Sequence, residues 1–244
     1  MLILLPPSEG KATEGDGEPL DLGGLSHSAL TPTRRKVLSA LLKVSKGAQR
    51  PALDVLGLTE GQRDAVLRNR EIKKAPTLRA SDLYTGVLYD NLRLNDLDEA
   101  ARAKVLIFSG LWGVLTPDDR IPPYRLAMGV ALPPLGGLAA TWRPVLTRTL
   151  APRGLVVDMR SAPYAAAWKQ PSVGVRVLRE SVVNGQVRRT VVSHMAKATR
   201  GAVARDLLLN EVEAETPEEL AKALEALGHT TEVSLGTIEV IVKE

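Results

Sequence analysis

The chain begins Met1-Leu-Ile-Leu-Leu5-Pro-Pro-Ser-Glu-Gly-Lys11, and this opening indicates how it folds. A short apolar run that ends at a turn is typical of a buried strand. The two prolines stop the strand, because they cannot donate to its ladder and they also prevent a helix. We therefore expect a buried first strand over residues 2–5, followed by a turn. No basic segment or small-residue cleavage site accompanies the apolar run, which argues against a signal peptide.

Two more apolar runs have the length of buried strands. They are Val105-Leu-Ile-Phe-Ser109 and Leu155-Val-Val-Asp158-Met159. A β-hairpin is also predicted, because Asn184-Gly185 separates two strand-like segments and this dipeptide favours the type I′ turn. Segments with helical periodicity lie between these strands. The pattern predicts an α/β fold of the mixed α+β kind, a single domain over residues 1–244 with a central mixed sheet and flanking helices.

A helical hairpin is predicted to project from this domain at approximately residues 31–74. Apolar residues recur at helical spacing over residues 31–47, with Thr31 as the cap and a proline in the first turn. A second helical stretch covers residues 51–70 and pauses at Gly57. A glycine turn between two short helices is similar to the helix-hairpin-helix element, which holds the DNA backbone independently of base sequence.

The other elements are predicted from caps, breakers and periodicity. We find no internal repeat and no flexible linker, so nothing divides the domain. The predicted elements are a short strand or tight turn at residues 83–89, helices from residue 98, at 138–150, at 194–210 and at 216–228, and one or two strands at 231–243.

Composition excludes several classes of chemistry. The 244 residues include no cysteine, so disulfides, thiolate catalysis and cysteine-ligated zinc are ruled out. The three histidines, His27, His194 and His229, stand far apart and lack metal-ligand spacing. We therefore predict no metal and no cofactor. Because there is no apolar run of membrane-spanning length and no targeting segment, we expect a cytoplasmic protein that does not bind membranes.

The formal net charge is only +4, but the charges are unevenly distributed. Residues 34–74 hold eleven Lys and Arg against four acids, a balance of +7. Residues 176–205 hold seven against one, whereas residues 206–244 hold ten acids against two lysines. Two basic blocks indicate an anionic partner. A solvated helix face is the alternative interpretation of each block.

Hydroxyl and basic side chains cluster where predicted strands end. Because Lys and Arg hold anions while Ser, Thr and Tyr add neutral hydrogen bonds, such a set predicts a cleft that binds a small anion. Lys197 and Arg200 are expected near a helix N-terminus, whose amides also attract anions. No general acid or base stands out, so the catalytic residues are unknown. The predicted cleft residues are Ser8, Lys11, Tyr84, Thr85, Ser109, Tyr124, Arg125, Lys197 and Arg200.

DNA is one anionic partner that suits the basic block at residues 34–74. Aromatic residues make up 3% of the chain, too few for the stacking surface that single-stranded nucleic acid needs, so duplex backbone contact is favoured. Phosphate contacts show little preference among sequences. The predicted DNA-contacting residues surround the glycine turn and are Lys43, Lys46, Arg50, Gly57, Arg63, Arg68 and Arg70.

Several short motifs follow one another along almost the whole chain. They are Tyr84-Thr-Gly86, Ser109-Gly-Leu-Trp-Gly-Val-Leu115, Pro123-Tyr-Arg-Leu-Ala-Met-Gly129, Trp142, Val156-Val-Asp-Met-Arg-Ser161 with Tyr164, and Lys197-Ala-Thr-Arg-Gly201. Taken in this order, they resemble the peroxide stress protein YaaA family. The opening of the chain fits as well, and Lys11 is the residue that carries over.

The resemblance implies a cytoplasmic protein with an unusual α/β fold and a positively charged cleft. It implies a helix-hairpin-helix element that binds duplex or distorted DNA, and a response to hydrogen peroxide that limits damage from free iron. The lack of cysteine agrees with an indirect role, because the chain has no thiol with which to scavenge peroxide.

Two other functions fit the same residues. One is an enzyme of unknown reaction whose basic cleft binds a small anion, such as a nucleotide or a phosphorylated metabolite. Convergence of the predicted cleft residues into one pocket favours it, and their dispersal over the surface counts against it. The other is a protein that binds a partner through its acidic segment at residues 206–244.

Overall fold

A computed structural model of the chain describes residues 1–183, 186–191 and 193–243, which form a mixed α+β domain. The strands are β1 Leu2–Leu5, β2 Gly17–Pro19, β3 Pro76–Arg79, β4 Val105–Ser109, β5 Gly113–Leu115, β6 Arg120–Ile121, β7 Ala131–Leu132, β8 Gly136–Gly137, β9 Val156–Asp158, β10 Val173–Val183, β11 Gln186–Val191, β12 Thr230–Ser234 and β13 Thr237–Lys243. The helices are α1 Thr31–Lys46, α2 Gln49–Leu56, α3 Arg63–Arg70, α4 Ala80–Leu83, α5 Val87–Leu92, α6 Glu99–Ala103, α7 Leu138–Thr149, α8 Ala162–Ala165, α9 Ser193–Leu209 and α10 Pro217–Ala226.

The central sheet is mixed, as predicted, and has the order β12-β13-β10-β9-β1-β4-β5, with β11 also paired to β10. The inner strands from β13 to β4 run parallel, whereas β5, β11 and β12 run antiparallel to their partners. β1 lies between β4 and β9, with Ile3 opposite Val105 and Leu2 opposite Val156. Because β4 is buried throughout and β1 over three of its four residues, the predicted buried strands are confirmed.

The helical hairpin predicted at residues 31–74 consists of α1, α2 and α3. Helix α1 ends where expected, but it begins at Thr31, and its cap is Leu30, which has no side-chain oxygen to offer. Gly57 ends α2 in the left-handed region, with φ 64° and ψ 39°, where a residue without a Cβ avoids strain. Thr59 and Gln62 then form a capping box ahead of α3. The predicted helix, glycine turn and helix are therefore confirmed.

Two local predictions have different outcomes. The strand or turn expected at residues 83–89 is mostly helical, because α4 ends at Leu83 and α5 begins at Val87. Between them, Tyr84 forms an isolated antiparallel bridge with Lys11. β10 and β11 do pair antiparallel, which confirms the hairpin arms, while Asn184-Gly185 lie outside the described residues. Across the described ranges, every helix is too short or too polar to cross a membrane.

One cation of the basic block lies inside the protein. The side chain of Arg34 in α1 is fully buried, and its guanidinium donates to three main-chain oxygens: Trp112 at 3.0 Å, Ser26 at 2.7 Å and Val114 at 2.8 Å. Burial lowers the pKa of Arg34 to about 10, against the opposing effect of Asp119, so the side chain stays charged at neutral pH. Arg34 therefore fixes α1 to β5 and to the loops that carry Ser26 and Trp112, and it is not part of the surface charge.

Candidate functional site

Three parallel strands bring the predicted cleft residues to one edge of the sheet. β1 leads into Ser8 and Lys11, β4 ends at Ser109, and β9 ends at Asp158. The chain moves from β1 to β4 on one side and later to β9 on the other, so the ends of these strands form a switch point. A crevice opens at the carboxyl ends of parallel strands at such a point. The position of the site thus follows from the strand order.

A small pocket occupies this edge. Four of the predicted cleft residues line it, namely Ser8, Lys11, Tyr124 and Arg125. Two more, Tyr84 and Ser109, are bonded to Tyr124 and so support the pocket from within. The rest of the lining comes from Pro7, Glu9, Leu126, Ala127 and Tyr164. Six of the nine predicted residues therefore converge on one place.

Lys11 is held rigidly inside the pocket. Its backbone pairs with that of Tyr84, and the next amide, of Ala12, donates to Leu83 O at 2.9 Å. Its Nζ donates to Ser8 O at 2.5 Å and lies 5.2 Å from the ring centre of Tyr84 and 4.8 Å from that of Tyr124. Burial lowers the pKa of Lys11 to about 7, and the positive charges of Arg125 and Arg68 add to this effect while Glu9 opposes it. The amine is therefore partly neutral at neutral pH.

The hydroxyl groups beneath Lys11 form a hydrogen-bonded chain of Ser109, Tyr124 and Tyr84. Ser109 Oγ accepts the amides of Leu111 at 3.2 Å and Trp112 at 3.0 Å, so its lone pairs are used and its proton goes to Tyr124. Tyr124 and Tyr84 share one hydrogen bond of 2.8 Å, which uses one of their two protons. Within the part of the chain that the structure describes, one tyrosine proton is left without an acceptor. Burial raises the pKa of both tyrosines, so that donor stays protonated.

The mouth of the pocket carries a guanidinium that is already paired with an acid. Arg125 Nη2 lies 3.3 Å from Glu9 Oε2, and the carboxylate side chain is 79% exposed while the Arg125 side chain is 21% exposed. An exposed pair of this kind contributes little stability. A ligand with an anionic group can therefore replace Glu9 on Arg125 at small cost.

The helical hairpin is attached to this pocket through α3. The side chain of Asn69 is fully buried; it donates to Arg125 O at 2.9 Å and accepts the Arg125 amide at 2.8 Å. Its neighbour Arg68 is close enough to help lower the pKa of Lys11. The carboxyl end of α3 therefore lies beside the pocket and is fixed to the loop that carries Arg125.

Three predicted cleft residues lie apart from the pocket. Lys197 lines a neighbouring cavity on the other side of the segment 7–9. Thr85 lines a third cavity with Tyr89 and Asp90, and Arg200 donates to Val175 O at 3.0 Å. The expected position at a helix N-terminus is wrong for both cations, because α9 begins at Ser193 and they lie beyond its first turn.

Two functional candidates, Glu9 and Asn69, were missed by the sequence reasoning. Glu9 belongs to the same turn as Ser8 and Lys11, so its place in the chain was a usable signal. Asn69 lies among charged residues of a short helix, and nothing in the local pattern marks it as the partner of a loop 56 residues away.

Lys11 also predicts how stability depends on pH. Its pKa falls from 10.5 to about 7 on folding, so between these values the unfolded chain binds more protons and the free energy of unfolding rises with pH. Relative to that of Lys11→Met, the free energy of unfolding of the wild-type protein should rise by about 2 kcal/mol between pH 7 and pH 9, at 1.36 kcal/mol per pKa unit. Urea denaturation at several pH values measures this difference. Lys169→Met, at an exposed lysine, is the control, and equal pH profiles for wild type and Lys11→Met would contradict the prediction.

Fold and site together define a mixed α+β protein with a lysine-containing pocket at the carboxyl edge of its parallel strands and a basic helical hairpin beside it. The chain belongs to the peroxide stress protein YaaA family, whose model matches residues 1–233. It is 48% identical over 240 residues to a UPF0246 protein of Streptomyces coelicolor, covering 95% of this chain and 92% of that one. It is 41% identical over 249 residues to a UPF0246 protein of Corynebacterium efficiens, covering 99% and 98%. A UPF0246 protein of Shewanella baltica is 33% identical over 194 residues, covering 75% and 72%. The family resemblance inferred from the motifs is therefore confirmed.

Proposed function

We propose that this chain acts in peroxide stress as a cytoplasmic protein that binds duplex or distorted DNA without sequence preference. The observation that carries the proposal is the bond between Asn69 and the Arg125 backbone, which joins the basic hairpin to the pocket. A DNA strand held on the hairpin would thereby lie beside Lys11.

Exposed cations supply the phosphate contacts in this proposal. Lys43 and Lys46 at the end of α1, Arg50 in α2 and Arg63 in α3 are all exposed. Within the described ranges, none of these four forms an ion pair with a carboxylate, so their charges are free to attract an anion. Arg70 is used differently, because its guanidinium donates to Ser45 O at 2.6 Å and Gly47 O at 3.3 Å at the end of α1. Its role is to hold α3 against α1.

The Gly57 turn contributes to the proposed DNA-binding surface more through its shape than through its backbone amides. The amide of Gly57 donates to Asp54 O at 3.2 Å, and that of Leu58 donates to Leu53 O at 2.9 Å. Both amides are therefore engaged in ending α2, and Glu60 and Asp64 place negative charge at the start of the next helical turns. We accordingly assign the phosphate contacts to the lysine and arginine side chains around the turn.

Charge reversal tests the proposed DNA surface. In Lys43→Glu/Lys46→Glu/Arg50→Glu, the affinity for a labelled duplex at low salt should fall at least tenfold, because three phosphate contacts are replaced by repulsion. The slope of log affinity against log salt should become shallower by roughly 2 to 3, at about 0.9 per phosphate contact. Fluorescence anisotropy over a salt series measures both quantities, with matched, bubble-containing and branched duplexes as ligands.

A control with the same change in charge separates local contact from general attraction. Arg148, Arg153 and Lys222 are exposed residues on other elements, and a triple change to Glu at these positions should leave most of the affinity intact. Thermal midpoints establish first that both triple variants are folded. If wild type does not bind any of the duplexes at low salt, or if the two variants lose equal affinity, the proposal is overturned.

A second candidate function is an enzyme that acts on a small anionic substrate. The observation that favours it is the convergence of Ser8, Lys11, Tyr124 and Arg125 on one pocket, with Tyr84 and Ser109 bonded behind them. Arg125 would hold the anion, and a tyrosine hydroxyl would donate to a neutral oxygen. This arrangement gives roles to Arg125 and to a tyrosine and leaves the role of the Lys11 amine to be assigned.

A further inference from the structure

We propose that Lys11 is a nucleophile that forms an imine with an aldehyde carrying a nearby phosphate, held in the pocket by Arg125. Such an aldehyde comes either as a free sugar phosphate or as an opened sugar within a DNA strand. The chemistry of the pocket is the same for both sources. Only the DNA source depends on the DNA binding proposed above.

The surroundings of Lys11 are those of a reactive amine. Within the described residues its ammonium forms no ion pair, since the nearby Glu9 is engaged by Arg125. Its ammonium donates to the neutral Ser8 O, and two tyrosine rings cover its flank. With a pKa of about 7, the neutral fraction at pH 7 is roughly a thousandfold larger than for an ordinary lysine. A lysine in these conditions is suited to attack a carbonyl.

The rest of the pocket supplies what an imine-forming site requires. Arg125 lies beside Lys11 and presents a planar guanidinium, which suits phosphate because it can donate two parallel hydrogen bonds. The phosphate would displace Glu9 from this guanidinium. Tyr124 lines the pocket, and when Tyr84 donates to it, the Tyr124 proton is a neutral donor for the carbonyl oxygen that does not compete with Arg125 for the phosphate.

The step is balanced without an oxidant or a reductant. The lone pair of Lys11 Nζ forms a bond to the carbonyl carbon while the C=O π pair moves to oxygen, which is stabilised by the tyrosine hydroxyl and takes up a proton. The nitrogen loses a proton, which gives a neutral carbinolamine. The carbinolamine hydroxyl takes up a second proton and leaves as water while the nitrogen lone pair forms the C=N bond, and the nitrogen then loses its other proton to give the imine. One amine and one aldehyde therefore give one imine and one water, and hydrolysis reverses the step.

Reductive trapping tests the assignment on the full-length protein. Wild type is incubated with glyceraldehyde 3-phosphate or with a duplex containing one abasic site, each with cyanoborohydride, and mass spectrometry locates the adducts. Lys11 should be modified at least tenfold faster than any other lysine, with a half-maximal rate near pH 7. The adduct should disappear in Lys11→Arg, which keeps a positive charge, and persist in Lys169→Arg. Glyceraldehyde without phosphate should react more slowly, and Glu9→Gln should speed trapping of the phosphorylated aldehyde.

The two arms separate this inference from DNA binding. The free aldehyde should still modify Lys11 in Lys43→Glu/Lys46→Glu/Arg50→Glu, whereas the abasic duplex should not. An adduct at Lys11 from either aldehyde supports the inference and identifies the source. Adducts spread over many lysines without preference for Lys11, or no adduct at Lys11 from either aldehyde, would overturn it even if the DNA affinities behave as proposed.

Discussion

Replacing Arg34 by Met should destabilise the protein by about 4 kcal/mol, in the range found when one partner of a buried charged network is removed. The guanidinium donates to the main-chain oxygens of Trp112, Ser26 and Val114, and methionine cannot donate to any of them. Each buried acceptor left without a donor costs about 1–3 kcal/mol. Asp119, which is 6% exposed and accepts from Ser26 and Thr116, also loses its nearby positive charge.

Chemical denaturation of matched variants measures this loss. Arg35→Met is the control, because Arg35 is the next residue of α1 but is exposed, and its stability should change by less than about 0.5 kcal/mol. The loss of stability in Arg34→Lys should lie between those of Arg34→Met and Arg35→Met. An ammonium keeps the charge but lacks the planar group that reaches three oxygens. A change below 1 kcal/mol in Arg34→Met would show that the three hydrogen bonds do not anchor α1.

The fold was predictable to the extent that it rests on local patterns. Residues 2–5 and 105–109 form buried strands, because a short apolar run bounded by turns has few other positions in a sheet protein where it can be buried. The stop at Gly57 was predictable for the same reason, since a left-handed residue favours glycine. Arg34 shows the limit. Counting charges placed Arg34 in the basic block, whereas the main-chain oxygens of Ser26, Trp112 and Val114 hold it in the core, and the last two are distant in the sequence.

The candidate site was predictable by residue type but not by arrangement. Placing hydroxyl and basic residues at strand ends identified Lys11, Tyr124 and Arg125, because the carboxyl ends of parallel strands meet at one edge. The same reasoning misplaced Arg200, which lies about two turns inside α9 and donates to Val175 O. It also gave no sign of Asn69, whose bond to the Arg125 backbone exists only once α3 has packed against that loop.

Gly201→Ala should destabilise the protein by about 3 kcal/mol, the upper part of the range for overpacking. A Cβ on Gly201 would lie 2.2 Å from Leu88 O, about 1.2 Å closer than the 3.4 Å at which ordinary contact begins. It would also lie 2.9 Å from Asn91 Cβ, so α9 and α5 must separate, because the oxygen belongs to the backbone of α5 and cannot turn aside. Alanine's better helix propensity, about 1 kcal/mol, is too small to compensate.

The control for Gly201→Ala is Gly61→Ala, where the nearest atom to the added Cβ is 3.9 Å away and stability should be unchanged or slightly higher. Urea denaturation of both variants measures the difference in free energy.

The effect should also reach the site, because Leu88 and Lys197 line the same cavity beside Pro7 and Ser8, and Lys197 lies about one turn before Gly201. Separation of the helices moves Lys197 away from the segment that carries Lys11. If the two alanine variants are equally stable, α5 and α9 have the freedom to shift, and the rigid packing inferred for this wall of the neighbouring cavity is wrong.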